Sequence, residues 1–305
     1  MAASPYQLRT SGPCPCASGR RLGECCGRHR SGSLSAPVIR PTRVGQTPTG
    51  YAHPRCYARG LGDCDRKISG EHYVSESLLK RFAPDGDLTV AGLRMGGGRE
   101  TALKVSSSRK INALRANVLC KRHNEMLSPL DAMIAAFFEA TQSAPMPGTF
   151  VDNNGVRLRL FRGDAVEQWF VKLALGLLCS GNASFPGMAS PWQPPQRLLD
   201  ALFGESLLPR PLGLYAAALP LERTHLRVRF FAEGGGAGDI GAMECILNGV
   251  GFVLLFAEGM RINVKSVYRP QELRREEQPP AFVKLLWSEE GDREAVTLHF
   301  SGGGR

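Results

Sequence analysis

The sequence predicts an α+β chain in three parts, and three observations carry that prediction. Eleven of the fifteen cysteines and histidines fall in two clusters, one before residue 30 and one between 51 and 131. Helical apolar spacing marks several stretches before residue 204, and strand-like alternation dominates after it. The charge is one-sided: residues 1–150 hold 21 Lys and Arg against 11 Asp and Glu, whereas 151–305 hold 17 of each. The whole net charge of +10 therefore sits in the first half. A basic half beside a neutral half points to a polyanion-facing module joined to something else. With 43% hydrophobic residues the chain can bury a core without cysteine staples.

Residues 1–30 open the chain with "GPCPCASGRRLGECCGRHR", which holds Cys14, Cys16, Cys25 and Cys26. Two close pairs joined by a short loop supply the four ligands that tetrahedral zinc wants. Arg20, Arg21, Arg28 and Arg30 favour the thiolate form that binds metal. Cys14, Cys16, Ser18, Gly19, Cys25 and Cys26 make this stretch resemble the SEC-C motif. That resemblance implies a structural zinc and an adaptor that docks a protein or a ribosome. Residues 31–50 are rich in Pro, Ser, Thr and Gly and read as a linker.

The second part, residues 51–145, carries Cys56 and Cys64, then "GEHYVSESLLKRF", then "ANVLCKRHNEMLSPLD". Cys56, Cys64, Cys120 and His123 form a candidate second zinc set, although seven residues separate the first two cysteines where two to four are usual. Residues 75–82 are expected to be helical, with Ser75 or Ser77 as N-cap. "DLTVAGLRM" reads as a strand, and "GGG" at 96–98 as a turn or loop. Leu127, Leu130, Ile134 and Phe137 or Phe138 share a face of a helix over 127–142, ended by "SAPMPG".

These residues resemble HNH endonucleases, in which a zinc-supported treble clef, or ββα-metal fold, holds the site. "GEHYVS" is similar to the Glu-His element, with Ser75 where Pro is common, and "LCKRHN" to the second knuckle, with His123 replacing a cysteine. The resemblance implies that His72 is the general base, that Glu71 and Asn124 approach a catalytic Mg²⁺ or Mn²⁺, and that Asn117 or Asn112 orients the base. Asn117 lies nearer the helix. In an alternative assignment His123 meets the catalytic ion and His53 or a water completes the zinc set. Lys67, Lys110, Arg115, Lys121 and Arg122 are candidate phosphate contacts, which position a nucleic acid without reading sequence. The leading expectation is a metal-dependent nuclease acting on nucleic acid, DNA more than RNA. The competing one is a non-catalytic zinc protein that binds nucleic acid, a ribosome or a protein.

The third part, residues 146–305, is expected to be a mixed α+β domain around an antiparallel sheet. "GDAVEQWFVKLALGLLCSG" (163–181) reads as an amphipathic helix stopped by Gly181, and "PPQRLLDALFG" (194–204) as a short helix. "LGLYAAAL", "HLRVRFFAE", "AMECILNGVGFVLLFAE", "RINVKSV", "AFVKLLW" and "EAVTLHF" read as strands, with "AEGGGAGD" as a hairpin loop. Cys179, Cys245 and the three tryptophans are expected in or near the core, His225 and His299 at the surface, and Asp131 as a residue that caps or touches the site or a solvated turn residue. The apolar stretches are too short to span a bilayer, and no secretory leader is visible at the N-terminus. The expectation is a cytoplasmic protein with no membrane contact, in a compartment where thiols bind metal rather than pair.

Overall fold

The computed structural model describes residues 48–76, 78–79, 88–93, 101–105, 115–142, 150–151, 157–183, 192–203, 207–217, 226–232, 240–247, 250–258, 266–275, 281–288 and 295–298. The N-terminal cysteine cluster, the linker up to residue 47, Lys110, Asn112, the 96–98 glycines, "AEGGGAGD" after residue 232, His225 and His299 lie outside these residues.

The second part builds around a two-stranded antiparallel pair and a long helix. Strand β1 (Ile68–His72) and strand β4 (Arg115–Cys120) align Ile68 with Cys120 and His72 with Arg115, with a register shift between Ser69 and Glu71. Helix α1 (Lys121–Gln142) follows β4 without a break. It starts six residues earlier than its apolar period suggested, because Lys121 donates its backbone N–H to the Lys67 carbonyl at 2.8 Å and is thereby pinned to β1. Pro129, which on sequence alone suits a first turn, stands inside the helix and is exposed there. Leu127, Leu130, Ile134, Phe137 and Phe138 are all buried on its inner face.

The segment between the two halves of the zinc set crosses into the rest of the molecule. Strands β2 (Leu88–Leu93) and β3 (Thr101–Val105) end a seven-stranded sheet of order β11-β7-β10-β9-β8-β2-β3. Its other members are β7 (Gly213–Ala217), β8 (Leu226–Ala232), β9 (Ile240–Leu247), β10 (Val250–Leu255) and β11 (Ser266–Tyr268). All neighbours run antiparallel except β2 and β8, which are parallel. Residues from both sides of position 145 thus share one sheet.

A second sheet has the order β14-β12-β13-β6-β5: β5 (Phe150–Val151), β6 (Arg157–Arg162), β12 (Glu272–Arg275), β13 (Ala281–Leu286) and β14 (Ala295–Leu298). The β12–β14 and β13–β6 pairs are parallel. The expectation of a domain around one antiparallel sheet is therefore corrected to two sheets with parallel pairs. Strand β6 was not expected from the pattern at all. Its sequence does alternate, Arg157-Leu158-Arg159-Leu160, but the structure buries the arginines as well as the apolar residues from Leu158 to Arg162.

Between these layers runs helix α2 (Gly163–Cys179), and every residue from Gly163 to Leu178 is buried. The amphipathic reading fails here, because this helix has no solvent face. Its polar residues each reach a different element. Asp164 accepts the backbone N–H of Ser288, and Glu167 pairs with Arg269 at 2.9 Å. Gln168 donates to the Ala201 carbonyl in helix α3 (Gln196–Leu202), and Lys172 turns toward β1 and α1. At Gly176 a Cβ would stand 2.6 Å from Tyr73 Cβ, so the helix closes on the end of β1 only because no side chain intervenes. Phe137, Phe138, Phe161, Trp169, Phe170 and Phe252 form the centre of the core, with neighbouring ring centroids 5.1–6.3 Å apart. Trp169, Trp287 and Cys245 are buried, and Trp192 and Cys179 are half-buried against the core.

Candidate metal centre

Cys56, Cys64, Cys120 and His123 converge, fully buried, with their ligand atoms all within 4.8 Å of one another. His123 Nδ1 lies 3.5 Å from Cys56 Sγ, 3.8 Å from Cys64 Sγ and 3.1 Å from Cys120 Sγ. A tetrahedral zinc with ordinary Zn–S and Zn–N bonds separates its sulfur and nitrogen donors by about 3.5 Å. Three sulfurs and one nitrogen at this spacing can hold a metal and are compatible with zinc. His53 stays outside the quartet: its Nδ1 accepts the Arg55 backbone N–H at 3.1 Å.

Local structure explains the long Cys56–Cys64 gap. A 3-10 turn (Tyr57–Leu61) takes up the additional residues, and Gly62 ends it with φ 64, where a side chain would be strained. The cysteines themselves are fixed by backbone bonds: Cys56 donates to the His53 carbonyl and Cys64 to the Tyr51 carbonyl. The Asp65 N–H donates to Cys120 Sγ at 3.3 Å. Cys120 and His123 are three apart at the start of α1, so they meet on one face.

The electrostatics favour a cation. The hydrogen bond from Cys56 pulls the Cys120 thiol down to about 3, with His123 adding to the effect against burial. The same contact with Cys120, and then burial, push Cys56 well up. Burial raises Cys64. Three packed sulfurs cannot all ionise by themselves, and a bound metal supplies the charge that lets them.

The remaining expected site residues meet separate partners. Glu71 is 1% exposed, and its Oε1 lies 2.7 Å from Lys172 Nζ. Lys172 Nζ also reaches both Asp131 oxygens, at 2.6 and 2.7 Å. Asp131 further accepts the Ser75 hydroxyl at 2.5 Å, and Ser75 Oγ accepts the Trp169 indole N–H at 2.8 Å. Ser75 does precede the short helix, but its hydroxyl serves Asp131, and Asp131 is a helical residue rather than a solvated turn. Burial drives Glu71 up to about 7 against the pull of Lys172.

Asn124 donates its amide to Ser69 Oγ at 2.9 Å, and Asn117 is exposed on β4. His72 has a side chain 16% exposed, with Nδ1 at 4.0 Å from Glu76. Its Nε2 is buried with no hydrogen-bond partner among the described residues. Burial, and then Arg115, hold His72 below its ordinary value, so the imidazole is neutral at pH 7. Lys67, Arg115 and Lys121 are exposed. Arg122 is engaged instead with the buried Asp63, at 2.9 Å, and Asp63 also accepts the Thr49 N–H.

The divalent ion that the resemblance implies at Glu71 does not fit these residues. The carboxylate assigned to it is already paired with the Lys172 ammonium at 2.7 Å. Lys172 was missed by sequence reasoning, and Asp131 was named without its partner, yet signals exist. A lone Lys inside "WFVKLALGLL" implies a buried cation in need of a partner, and Asn124 and Asp131 lie seven apart on one helix face.

Among the described residues no helix is long and apolar enough to cross a membrane. No family model, no curated protein and no solved structure matches the chain.

Proposed function

We propose that this chain is a zinc-stabilised nucleic-acid-binding protein, built on an HNH-like ββα frame and carrying an N-terminal zinc clip as adaptor. What supports the reading most is the surface around the zinc quartet. Arg55, Arg59, Arg66, Lys67 and Lys121, near the quartet residues in sequence, are exposed, Arg115 is exposed at the other end of β4, and Tyr51 beside Arg66 offers an exposed ring. Cations on a rigid frame hold phosphates by charge, and an exposed ring can stack on a base. The clip at Cys14, Cys16, Cys25 and Cys26 binds a second zinc and docks a protein or ribosome. Thiolate ligands suit a reducing cytoplasm.

Fluorescence anisotropy against duplex DNA, single-stranded DNA and RNA tests this at several salt concentrations. The Lys67→Ala, Arg115→Ala, Lys121→Ala triple variant should bind at least tenfold more weakly. Its log K against log salt slope should be shallower by roughly one unit per lost phosphate contact. Unchanged binding, or none in the wild type, overturns the proposal.

One observation favours a second reading, hydrolysis. The neutral His72 imidazole, with Nε2 free of hydrogen bonds among the described residues, is in the state a general base requires. Plasmid nicking with Mg²⁺ or Mn²⁺ that disappears in His72→Ala would put the nuclease reading first.

A further inference from the structure

We propose that Lys172 is a built-in replacement for the divalent cation of this frame, so that the wild-type chain keeps the HNH-like arrangement while excluding metal from it. The inference rests on the binding reading above and sharpens it, because it names the reason the frame would bind without cutting. Lys172 comes from α2, outside the ββα unit, and its side chain is 1% exposed. Its ammonium contacts Glu71 on β1, one of the two side chains assigned to the ion, and Asp131 on α1, two helical turns beyond the other, Asn124. A divalent ion bridging Glu71 and Asp131 would bind oxygen at about 2.0–2.1 Å for Mg²⁺, in space the ammonium fills.

Three features make the replacement fixed rather than incidental. Ser75 and Trp169 hold Asp131 in place through successive hydrogen bonds. The glycine at 176, one turn beyond Lys172, lets α2 sit directly on Tyr73. Glu71 and Asp131 together outweigh the burial penalty on Lys172, whose ammonium is held above its ordinary range and stays protonated. Ammonium and divalent ion therefore compete for one seat, and the covalently tethered one does not dissociate.

The test is Mn²⁺ binding to the full zinc-loaded chain, read by electron paramagnetic resonance and calorimetry, with zinc content measured in each sample. Wild type should bind no Mn²⁺ at Glu71. Lys172→Ala should gain one Mn²⁺, lose it again in the Lys172→Ala, Glu71→Gln double variant, and release it to methylammonium. A folded Lys172→Ala that binds no Mn²⁺ overturns the proposal, as does wild-type Mn²⁺ binding that Glu71→Gln removes. Should Lys172→Ala fail to fold, the wild type and Glu71→Gln decide the matter between them. None of these readouts uses nucleic acid, so a failure of the binding proposal leaves this one standing, and the reverse.

Discussion

Two buried polar clusters sit on the same small frame and solve the same problem in opposite ways. The Cys56, Cys64, Cys120 and His123 quartet gathers soft ligands whose charge an external metal must balance. The Glu71, Asp131 and Lys172 cluster gathers hard carboxylates and brings its own cation. The first is assembled within the second part of the chain, by a knuckle and a helix start. The second closes only when α2 arrives. One cluster could hold a metal, and the other ties the frame to the rest of the molecule.

The largest effect should come from breaking the quartet. Removing zinc with phenanthroline, or Cys120→Ser, should destabilise the frame by at least about 4 kcal/mol, the contribution of free metal a thousandfold above its dissociation constant. Thermal unfolding with and without restored zinc measures it. A quartet that held no metal would show no response to the chelator.

Next is the pair itself. Lys172→Met should cost about 3–5 kcal/mol, because it strands the buried Glu71 and the half-buried Asp131 without a cation. Glu71→Gln in the same chain should recover part of that loss, and chemical denaturation of the single and double variants gives the coupling. Full additivity of the two changes would mean that the ion pair does not hold the interface. Zinc content should stay constant throughout, which separates the two clusters.

The smallest effect concerns His72. Burial and then Arg115 depress it below the 6.5 of an exposed imidazole, with Glu76 opposing. The unfolded chain therefore takes up a proton near pH 6.5 that the folded chain refuses, and stability is lost as pH falls through that window. Above it the contribution is fully present. His72→Gln should flatten the fall in melting temperature between about pH 7 and pH 5, and an NMR titration should place the imidazole midpoint below 6.5.

What the sequence determined by itself is local. Residue type and spacing named all four members of the buried quartet, since a knuckle and an i,i+3 pair at a helix start are visible within a few residues of chain. Apolar period also placed α1, α2 and α3 and most strands of the seven-stranded sheet. Tertiary structure decided the rest. The arginines of β6 and the polar stripe Asp164, Glu167, Gln168 and Lys172 of α2 are legible in the sequence, but that both are buried rather than solvated is decided only by the elements packed on them. The fate of Glu71 was decided by Lys172, a residue whose other partner, Asp131, lies 41 positions away in sequence. A buried charge must find its counter-ion wherever packing brings one, and that choice is made between elements rather than within them.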